Sequence, residues 1–593
     1  MQKKNVSIDE LYNKPFPSTR VGALFNAFSY PTKISPESEA LYIACHTNVG
    51  DTVLDPFGGS GTTGIATLLC DKPTANMVKL AEQYKLKPQW GPRTAYVYEI
   101  STSGYLLGST LCHTNHKVFQ KEAKMLLDNC KAEANRIYSI KDDEGKLGLI
   151  RHIIWSDVLR CPHCGREFKY AEVAINDNPL KFVNEGVCPE CKEIVNVSEL
   201  EKVTETIQDR ILGKTITVKK RIPYKIYGIT QKRKWSRLAT KEDYNDYLKL
   251  IETLDYSYIP LYKISWGELF RQGYHYGITH IHHFYTNRNA MMFSYLWSKI
   301  SSCNKEVQDA LKIFLLSYNS SHSTLMTRVV AKSNSKDFVL TGAQPGVLYI
   351  SSLPVEKNIH IGLERKLKTF TEALSLLDQS KSKAFFFNSS STIMKEVDNH
   401  SIDYIFTDPP FGDFIPYSEI NQINESWLGN ITNTQDEVII NNSQGKNLEY
   451  YEKLMEAVFK RMSEILKDEG FCTLVFHSAK AEIWRAIIKA YKNSGFTVCK
   501  ASILDKVQKT FKQTNSNVIV KGDPILLLEK NGNKIVKNTL YKNDKEIAQE
   551  LLSKYKINLI DKEISTKLFS NYITTCIENG LEITLDAKYF FKK

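Results

Sequence analysis

Two short stretches of this chain carry residue types suited to moving a methyl group onto an amine. The first is Asp408-Pro409-Pro410-Phe411, which follows the apolar run Ile402 to Phe406. An exocyclic amine on an aromatic base is a weak nucleophile because its lone pair is delocalised into the ring. A carboxylate oxygen of Asp408 and a backbone carbonyl stiffened by Pro409 and Pro410 can accept the two amine hydrogens and localise that lone pair. Proline supplies the stiffness through its fixed φ and adds no competing donor. Phe411 offers a flat face on which an extruded base can stack.

The second stretch, Asp55-Pro56-Phe57-Gly58-Gly59-Ser60-Gly61-Thr62-Thr63, is entered from the strand-like run Thr52-Val53-Leu54. Its glycines permit positive φ and close backbone approach to a ligand at a strand end. Asp55, Phe57, Gly59, Gly61, Thr62 and Thr63 are therefore the expected cofactor contacts. Glu99, at the end of a further strand from Thr94 to Tyr98, is placed to accept hydrogen bonds from ribose hydroxyls. The loop does not match the dinucleotide pattern G-x-G-x-x-G, and it lacks the lysine of a phosphate loop. S-adenosylmethionine, which carries no phosphate, fits it better than NAD or ATP.

The surrounding pattern is an alternating α/β unit. Helical spacing is expected from Ser38 to Cys45, Thr63 to Leu69, Tyr450 to Lys467 and Glu482 to Lys492. Strands are expected at 52–54, 94–98, 384–388, 402–407, 471–476, 497–504 and 525–528. Parallel sheets bind ligands at the carboxyl ends of their strands, where Asp55, Glu99 and Asp408 all fall. Yet 344 residues separate Thr63 from Asp408, far beyond a loop in a compact domain. The expected organisation is an N-terminal extension (1–27), a first half with the cofactor motif (28–134), an insertion for target recognition (135–380), a second half with the Asp-Pro-Pro-Phe turn (381–530) and a C-terminal appendage (531–593).

The insertion opens with Cys161-Pro162-His163-Cys164 and continues to Cys188-Pro189-Glu190-Cys191, two C-x-x-C knuckles with 23 residues between them. Four thiolates suit a closed, structural tetrahedral Zn2+, expected within about 155–200. Val218 to Arg237 then carries Lys219, Lys220, Arg221, Lys225, Lys232, Arg233, Lys234 and Arg237 without an acid, interleaved with Tyr224, Tyr227 and Trp235. Such a stretch suits a nucleic-acid surface or a solvated hairpin. Gly273 to Asn289 holds His275, His280, His282 and His283, expected to be packed or hydrogen-bonded rather than metal-bound, with Arg288 a possible DNA contact. His477 is expected to be structural, and Asp413, Tyr417 and Glu419 to shape a base pocket.

With these residues in place, the chain resembles the amino-methyltransferases that modify adenine or cytosine in DNA, whose motifs are F-x-G-x-G and D/N/S-P-P-Y/F. It is more similar still to adenine-specific DNA methylases that contain a zinc ribbon, through Ile402 to Glu419, Phe476-His477-Ser478 to Trp484, and Lys521-Gly522-Asp523-Pro524. Phe411 in place of the commoner tyrosine, and the polar stretch Asn421 to Trp427, depart from the pattern. The resemblance implies a Rossmann-like S-adenosylmethionine-dependent methyltransferase sheet with a large inserted domain containing a zinc ribbon. It implies methylation of the N6 amine of adenine in double-stranded DNA with the target base flipped out, in a restriction-modification or phage-defence setting with restriction or defence partner proteins. The alternatives are a cytosine-N4 DNA or an RNA base amino-methyltransferase and, in another class, a non-catalytic DNA-binding subunit. Intact Asp408, Pro409, Gly59 and Gly61 favour an active enzyme.

Composition is compatible with these expectations. The 593 residues are 42% hydrophobic and 24% charged, ordinary for a globular protein of several domains. The net charge of +12 favours a polyanionic partner. Met1 to Pro17 lacks the apolar core of a signal peptide, and no apolar run reaches membrane-spanning length. Twelve thinly spread cysteines suit a reducing cytoplasm better than a disulfide scaffold.

Overall fold

The short β-branched and aromatic runs at 52–55, 94–98 and 402–407 are too brief for stable helices and too apolar for loops. In the computed structural model they become neighbouring strands of one mixed sheet. The structure describes residues 6–13, 15–18, 20–332, 335–506, 522–530, 541–554 and 562–591. Lys521 lies outside these residues, as does the start of the expected N-terminal extension. The chain divides into two units, one of Met1–His116, Glu372–Asn421 and Ile431–Lys593, the other of Lys117–Thr371 and Gln422–Asn430.

The first unit is built on eight strands: β1 (Phe16–Ser18), β2 (Thr52–Asp55), β3 (Thr94–Tyr98), β4 (Lys383–Phe387), β5 (Ile402–Thr407), β6 (Leu466–Val475), β7 (Phe496–Lys506) and β8 (Asp523–Lys530). Their order across the sheet is β1-β7-β8-β6-β5-β2-β3-β4. Strands β6, β5, β2, β3 and β4 are mutually parallel, and β8 runs antiparallel to both β6 and β7. The strand order reverses between β2 and β5, the switch point at which open α/β sheets leave a crevice for ligands.

Helices follow the strands where the apolar period changes. Pro36–His46 starts with proline at its first turn, a position that needs no donor. Leu448–Ile465 buries Tyr451, Met455, Val458, Phe459, Met462 and Ile465 along one face, and its N-cap Asn447 accepts from the Tyr450 amide. That helix stops before the expected Lys467, because fully buried Leu466 turns extended and pairs beside Ile402 to begin β6. Two segments that read as appendages belong to this unit's body. Phe16–Ser18 adds the parallel edge strand β1 to β7. Leu568, Phe569, Tyr572, Ile573, Cys576 and Phe590 join the core built by β5, β6 and the helices Leu448–Ile465 and Ala481–Asn493.

The second unit centres on the long strand Leu147–Arg160, flanked by Arg221–Thr230 and Val355–Lys357. It starts inside helix His116–Ile137 rather than at residue 135, because Phe119 packs against Phe314 and Phe370, with ring centroids 5.7 and 5.1 Å away.

Gly61 illustrates how tightly the site's supporting helices approach. Its φ is +76°, and a Cβ there would collide with the Gly108 backbone and touch the Phe386 ring at 3.0 Å. A Cβ on Gly59, at φ +51°, would meet the Tyr30 ring at an ordinary 3.5 Å. Gly61→Val is expected to destabilise the chain by about 3 kcal/mol and Gly59→Ala by only about 1 kcal/mol. Urea unfolding of the two variants checks this, and equal midpoints would refute the packing at Gly61.

Candidate active site

The cavity at the switch point encloses about 960 Å³ of space, counting the open solvent at its mouth. Asp55, Phe57, Gly59, Thr62, Glu99, Asp408 and Pro410 all line it. Residues separated by some 350 positions thus share one wall, at the carboxyl ends of β2, β3 and β5.

The glycine turn is held by its own acids. The Phe57 amide donates to Asp55 Oδ1 at 2.9 Å, and the Thr63 hydroxyl donates to Oδ2 at 2.6 Å. Across the turn, Glu99 Oε2 accepts from the Gly59 amide at 2.6 Å and Oε1 from the Ser101 amide at 2.8 Å. Gly58 donates to the carbonyl of Tyr98 at 2.7 Å, which ties the turn to β3. Thr63 and Gly61 are not in the cavity wall: Thr63 is buried under Asp55, and Gly61 is packed on Gly108. They shape the loop from behind.

The Asp-Pro-Pro-Phe turn is similarly differentiated. The Pro410 carbonyl is occupied, accepting from the Tyr451 hydroxyl at 2.7 Å and the Gly412 amide at 3.0 Å. Among the described hydrogen bonds none uses the Pro409 carbonyl. The expected stacking face of Phe411 is not presented to the cavity. That ring is 5% exposed, meets Phe476 edge-on at 5.5 Å and lies beside Phe414 and His477. An apolar phenyl gains more from this core than from water, and it has no hydroxyl to keep at the surface. Besides Phe57, the aromatic side chains in the cavity wall are Tyr30 and Tyr417, stacked at 6.2 Å, with the Tyr417 hydroxyl hydrogen-bonded to Thr32 at 2.8 Å.

Several lining residues carry no motif in sequence: Tyr30, Glu39, Ser391, Thr432 and Glu437. Glu39 is 2% exposed, and its Oε1 has no hydrogen-bond partner. Burial, then the charges of Asp55 and Asp408, push its carboxyl well above the usual range. Burial also pushes Asp55 up to about 6 and Glu99 up to about 7. With Asp436 and Glu437, six carboxyl groups line the cavity against one ammonium, Lys33, whose Nζ donates to the Leu24 carbonyl. Such a wall repels phosphates and is complementary to a cation or to donors from hydroxyl and amino groups.

Of the pocket-shaping residues expected after the turn, Tyr417 lines the cavity, whereas Asp413 pairs with Lys480 at 2.7 Å and Glu419 accepts from Asn441 at 3.3 Å. His477 lies 3.0 Å from Asp523. The polar stretch after residue 421 is a packing device of the second unit. Gln422 exchanges two amide hydrogen bonds with the Ser265 backbone, Asn319 donates to Asn424, and the Trp427 indole donates to the Tyr285 hydroxyl.

In the second unit the four cysteines converge. Cys161 and Cys164 follow strand Leu147–Arg160 and precede its partner Glu167–Lys169, and Cys188 and Cys191 sit between the paired strands Glu185–Val187 and Ile194–Asn196. Each knuckle turns at a positive-φ residue, Gly165 or Lys192. The Sγ atoms of Cys161 and Cys191 are 3.7 Å apart and those of Cys164 and Cys188 3.9 Å. A tetrahedron of thiolates at about 2.3 Å from Zn2+ has edges of about 3.8 Å, so this donor set fits that ion.

The second histidine-rich group is differently arranged. Asp209 Oδ2 lies 2.9 Å from His282 Nε2 and 2.8 Å from His283 Nε2. His283 Nδ1 accepts from the Thr279 and His280 amides, so its Nε2 carries the proton and donates to Asp209. That nitrogen has no lone pair to offer a metal. Arg288, expected as a DNA contact, is 4% exposed and lies 3.4 Å from the buried Glu356.

The basic stretch at 218–237 is also largely occupied. Lys220 pairs with Glu167, Arg221 with Asp157, Lys225 with Asp337, Arg233 with Asp142 and Asp143, and Arg237 with Asp243. Lys219 is buried against the Gly273 carbonyl, and Tyr227 and Trp235 are 8% and 6% exposed. These carboxylates come mostly from distant sequence, so the acid-free run does not make an acid-free surface.

Glu99 and Asp55 have folded values above their ordinary 4.5 and 3.8. They therefore favour folding at low pH and lose that contribution as pH rises through about 6 to 7. An ionised carboxylate accepts from ligand hydroxyls more strongly than a protonated one, so with Glu99 as the expected ribose acceptor, affinity for S-adenosylmethionine is expected to fall as pH drops below about 7. Titration calorimetry should show this fall in the parent and a flatter profile in Glu99→Gln; identical profiles would refute the role. Elemental analysis is expected to find about one zinc per chain, lost in Cys161→Ser together with a lower melting temperature. A zinc-free parent would refute the metal site.

Comparison with known proteins bears on the same two segments. Among curated proteins none matches the chain. A solved structure titled "Crystal Structure of antibiotic-resistance methyltransferase Kmr" matches at 13% identity over 26% of this chain and 63% of its own, with a TM-score of 0.15. The chain thus spans less than two thirds of that protein, and the likeness is too slight to carry weight. Residues 2–73 and 402–580, which supply the glycine turn and the Asp-Pro-Pro-Phe turn, match the family model described as N6_N4_Mtase, DNA methylase.

Proposed function

We propose that this chain is an S-adenosylmethionine-dependent DNA methyltransferase acting on the exocyclic N6 amine of adenine. The observation that carries this reading is the shared cavity: Asp408, the glycine turn and Glu99 face one space whose wall sets six carboxyl groups against the single ammonium of Lys33. The DNA methylase match over both segments supports the reaction class. S-adenosylmethionine, when bound, supplies an electrophilic methyl on a cationic sulfonium. An acidic cavity favours that cation, and the orphaned Glu39 Oε1 is an acceptor in its wall.

The roles of the chain's own groups follow from their geometry. Glu99, already anchoring Gly59 and Ser101, accepts from ribose hydroxyls with its remaining lone pairs. Asp55 acts indirectly, by holding Phe57 and Thr63 so that the turn keeps its shape. Asp408 and the Pro409 carbonyl accept the two hydrogens of the target amine, which localises its lone pair for attack. The surplus proton then leaves by the Asp408 carboxylate to solvent. Tyr417 and Tyr30 present the ring faces available to a flipped base. Zn2+ on Cys161, Cys164, Cys188 and Cys191 holds two hairpins of the inserted unit together and takes no part in the transfer.

Incubation with labelled cofactor and duplex DNA, followed by nucleoside analysis, is expected to yield N6-methyladenine. N4-methylcytosine would redirect the target base, and label in RNA alone would refute DNA as substrate. Asp408→Ala is expected to lower kcat at least a hundredfold while cofactor affinity stays within a few-fold, since it removes an acceptor used at the reacting nitrogen. Near-parental turnover in that variant would refute the catalytic assignment.

A further inference from the structure

With the 218–237 stretch largely neutralised by its own acids, the unmatched positive charge of the second unit lies elsewhere. Lys357 ends the strand Val355–Lys357 and pairs in register with His152 of the central strand, beside Arg151. The Asn358 amide donates to the Arg151 carbonyl at 3.0 Å, and helix Ile359–Leu377 begins there, with Arg365 and Lys366 in its second turn. A π-helical turn, Asn319–Ser323, brings His322 to the same place. Gly362 makes room for this, because a Cβ there would collide with the Tyr318 hydroxyl. Lys357 Nζ donates to His322 Nδ1 at 2.9 Å. Single π turns inside helical segments recur at functional sites.

Among the described residues Arg151, Lys357 and Arg365 make no ion pair with a carboxylate, in contrast to the basic residues of 218–237. Burial is the larger cost to the group, and mutual repulsion adds to it at His322 and Lys357. Burial with Lys357, Lys366 and Arg365 lowers His322 to about 3, burial with Arg365 lowers Lys357 to about 8, and burial lowers Lys366 to about 8. Asp337, the carboxylate felt at His152, is itself engaged by Lys225 and Tyr227. The side chains remain reachable: Arg151, Lys357 and Lys366 are half-buried, and Arg365 is exposed. A reachable group of like charges that costs the fold free energy is stabilised by an anion.

We propose that Arg151, Lys357 and Arg365, gathered around His322, form the surface on which the inserted unit holds the sugar-phosphate backbone of duplex DNA. This rests on the DNA reading above and adds the position of the phosphate contacts, away from the basic stretch that sequence suggests. Cations without neighbouring carboxylate acceptors are suited to phosphates rather than to base edges, so the surface sets grip and register more than sequence choice.

The test uses the full chain and a duplex of about 30 base pairs, with affinity measured between about 50 and 200 mM salt. Arg365→Gln and Lys357→Gln are each expected to weaken binding about tenfold at low salt and to reduce the log–log salt slope by about 1. Arg365→Lys should restore the slope. Lys232→Gln/Lys234→Gln, on the 218–237 hairpin, should leave both quantities at the parental value. In methylation assays the cluster variants should raise KM for DNA and leave kcat and cofactor affinity unchanged. A parental affinity and slope in Arg365→Gln, at an unchanged melting temperature, overturns the inference while leaving the methyltransferase reading intact. Duplex binding that weakens as expected in a protein that methylates no DNA supports the surface and overturns the function. Preference of the same residues for RNA over duplex DNA overturns the assignment of partner.

Discussion

The pairing of β2 with β5 is the constraint on which the site depends. Val53 and Leu54 lie in register with Tyr404 and Ile405, so two loops far apart in the chain emerge side by side. Polar contacts secure the start of the seam and the turn beyond β2. Asp403 Oδ2 accepts from the Thr52 amide and hydroxyl at 2.9 and 2.8 Å, and the Ser391 hydroxyl donates to the Pro56 carbonyl beside the turn. Closing so long a loop is entropically costly only logarithmically in its length, which is why a whole folded unit can be inserted between the paired strands.

Charge is handled in opposite ways in the two units. In the first, carboxyl groups crowd a cavity that burial makes poorly solvating, so Glu39, Asp55 and Glu99 are all raised. An entering cation or hydrogen-bond donor relieves that tension, and folding strain becomes binding affinity. In the second, most basic residues of one hairpin are matched to acids, and the unmatched cations gather around His322. A chain with a net charge of +12 thus combines a carboxyl-lined pocket with a cluster of unmatched cations.

The inserted unit shows how a small structural motif is made dependable. Both cysteine knuckles use a hairpin turn with a positive-φ residue, and their amides bond back across the turn, Gly165 to the Cys161 carbonyl and Lys192 to that of Cys188. Backbone geometry thus helps to place the four thiols. The Asp209 clasp uses the same economy differently: backbone amides fix the His283 tautomer, and the carboxylate then gathers two rings.

How much of this was legible in sequence depended on the range over which each feature is specified. The strands at 52–55, 94–98 and 402–407, the glycine turn, Glu99, Asp408 and the two cysteine pairs follow from local composition and spacing, because turn chemistry and apolar period act within a few residues. Where neighbours come from far along the chain, residue type alone determined little. It could not show that Phe411 is turned into a core with Phe476, that Pro410 is already used by Tyr451, or that Glu39 and Tyr30 reach the cavity. Nor could it show that acids from Asp142 to Asp337 quench the basic hairpin, or that Arg151, Lys357 and Arg365 gather without them. The sequence by itself determined which chemically competent residues the chain carries and their local spacing. Tertiary structure decided which copies of each residue type are free to perform it, since burial and pairing are properties of neighbours that only folding brings together.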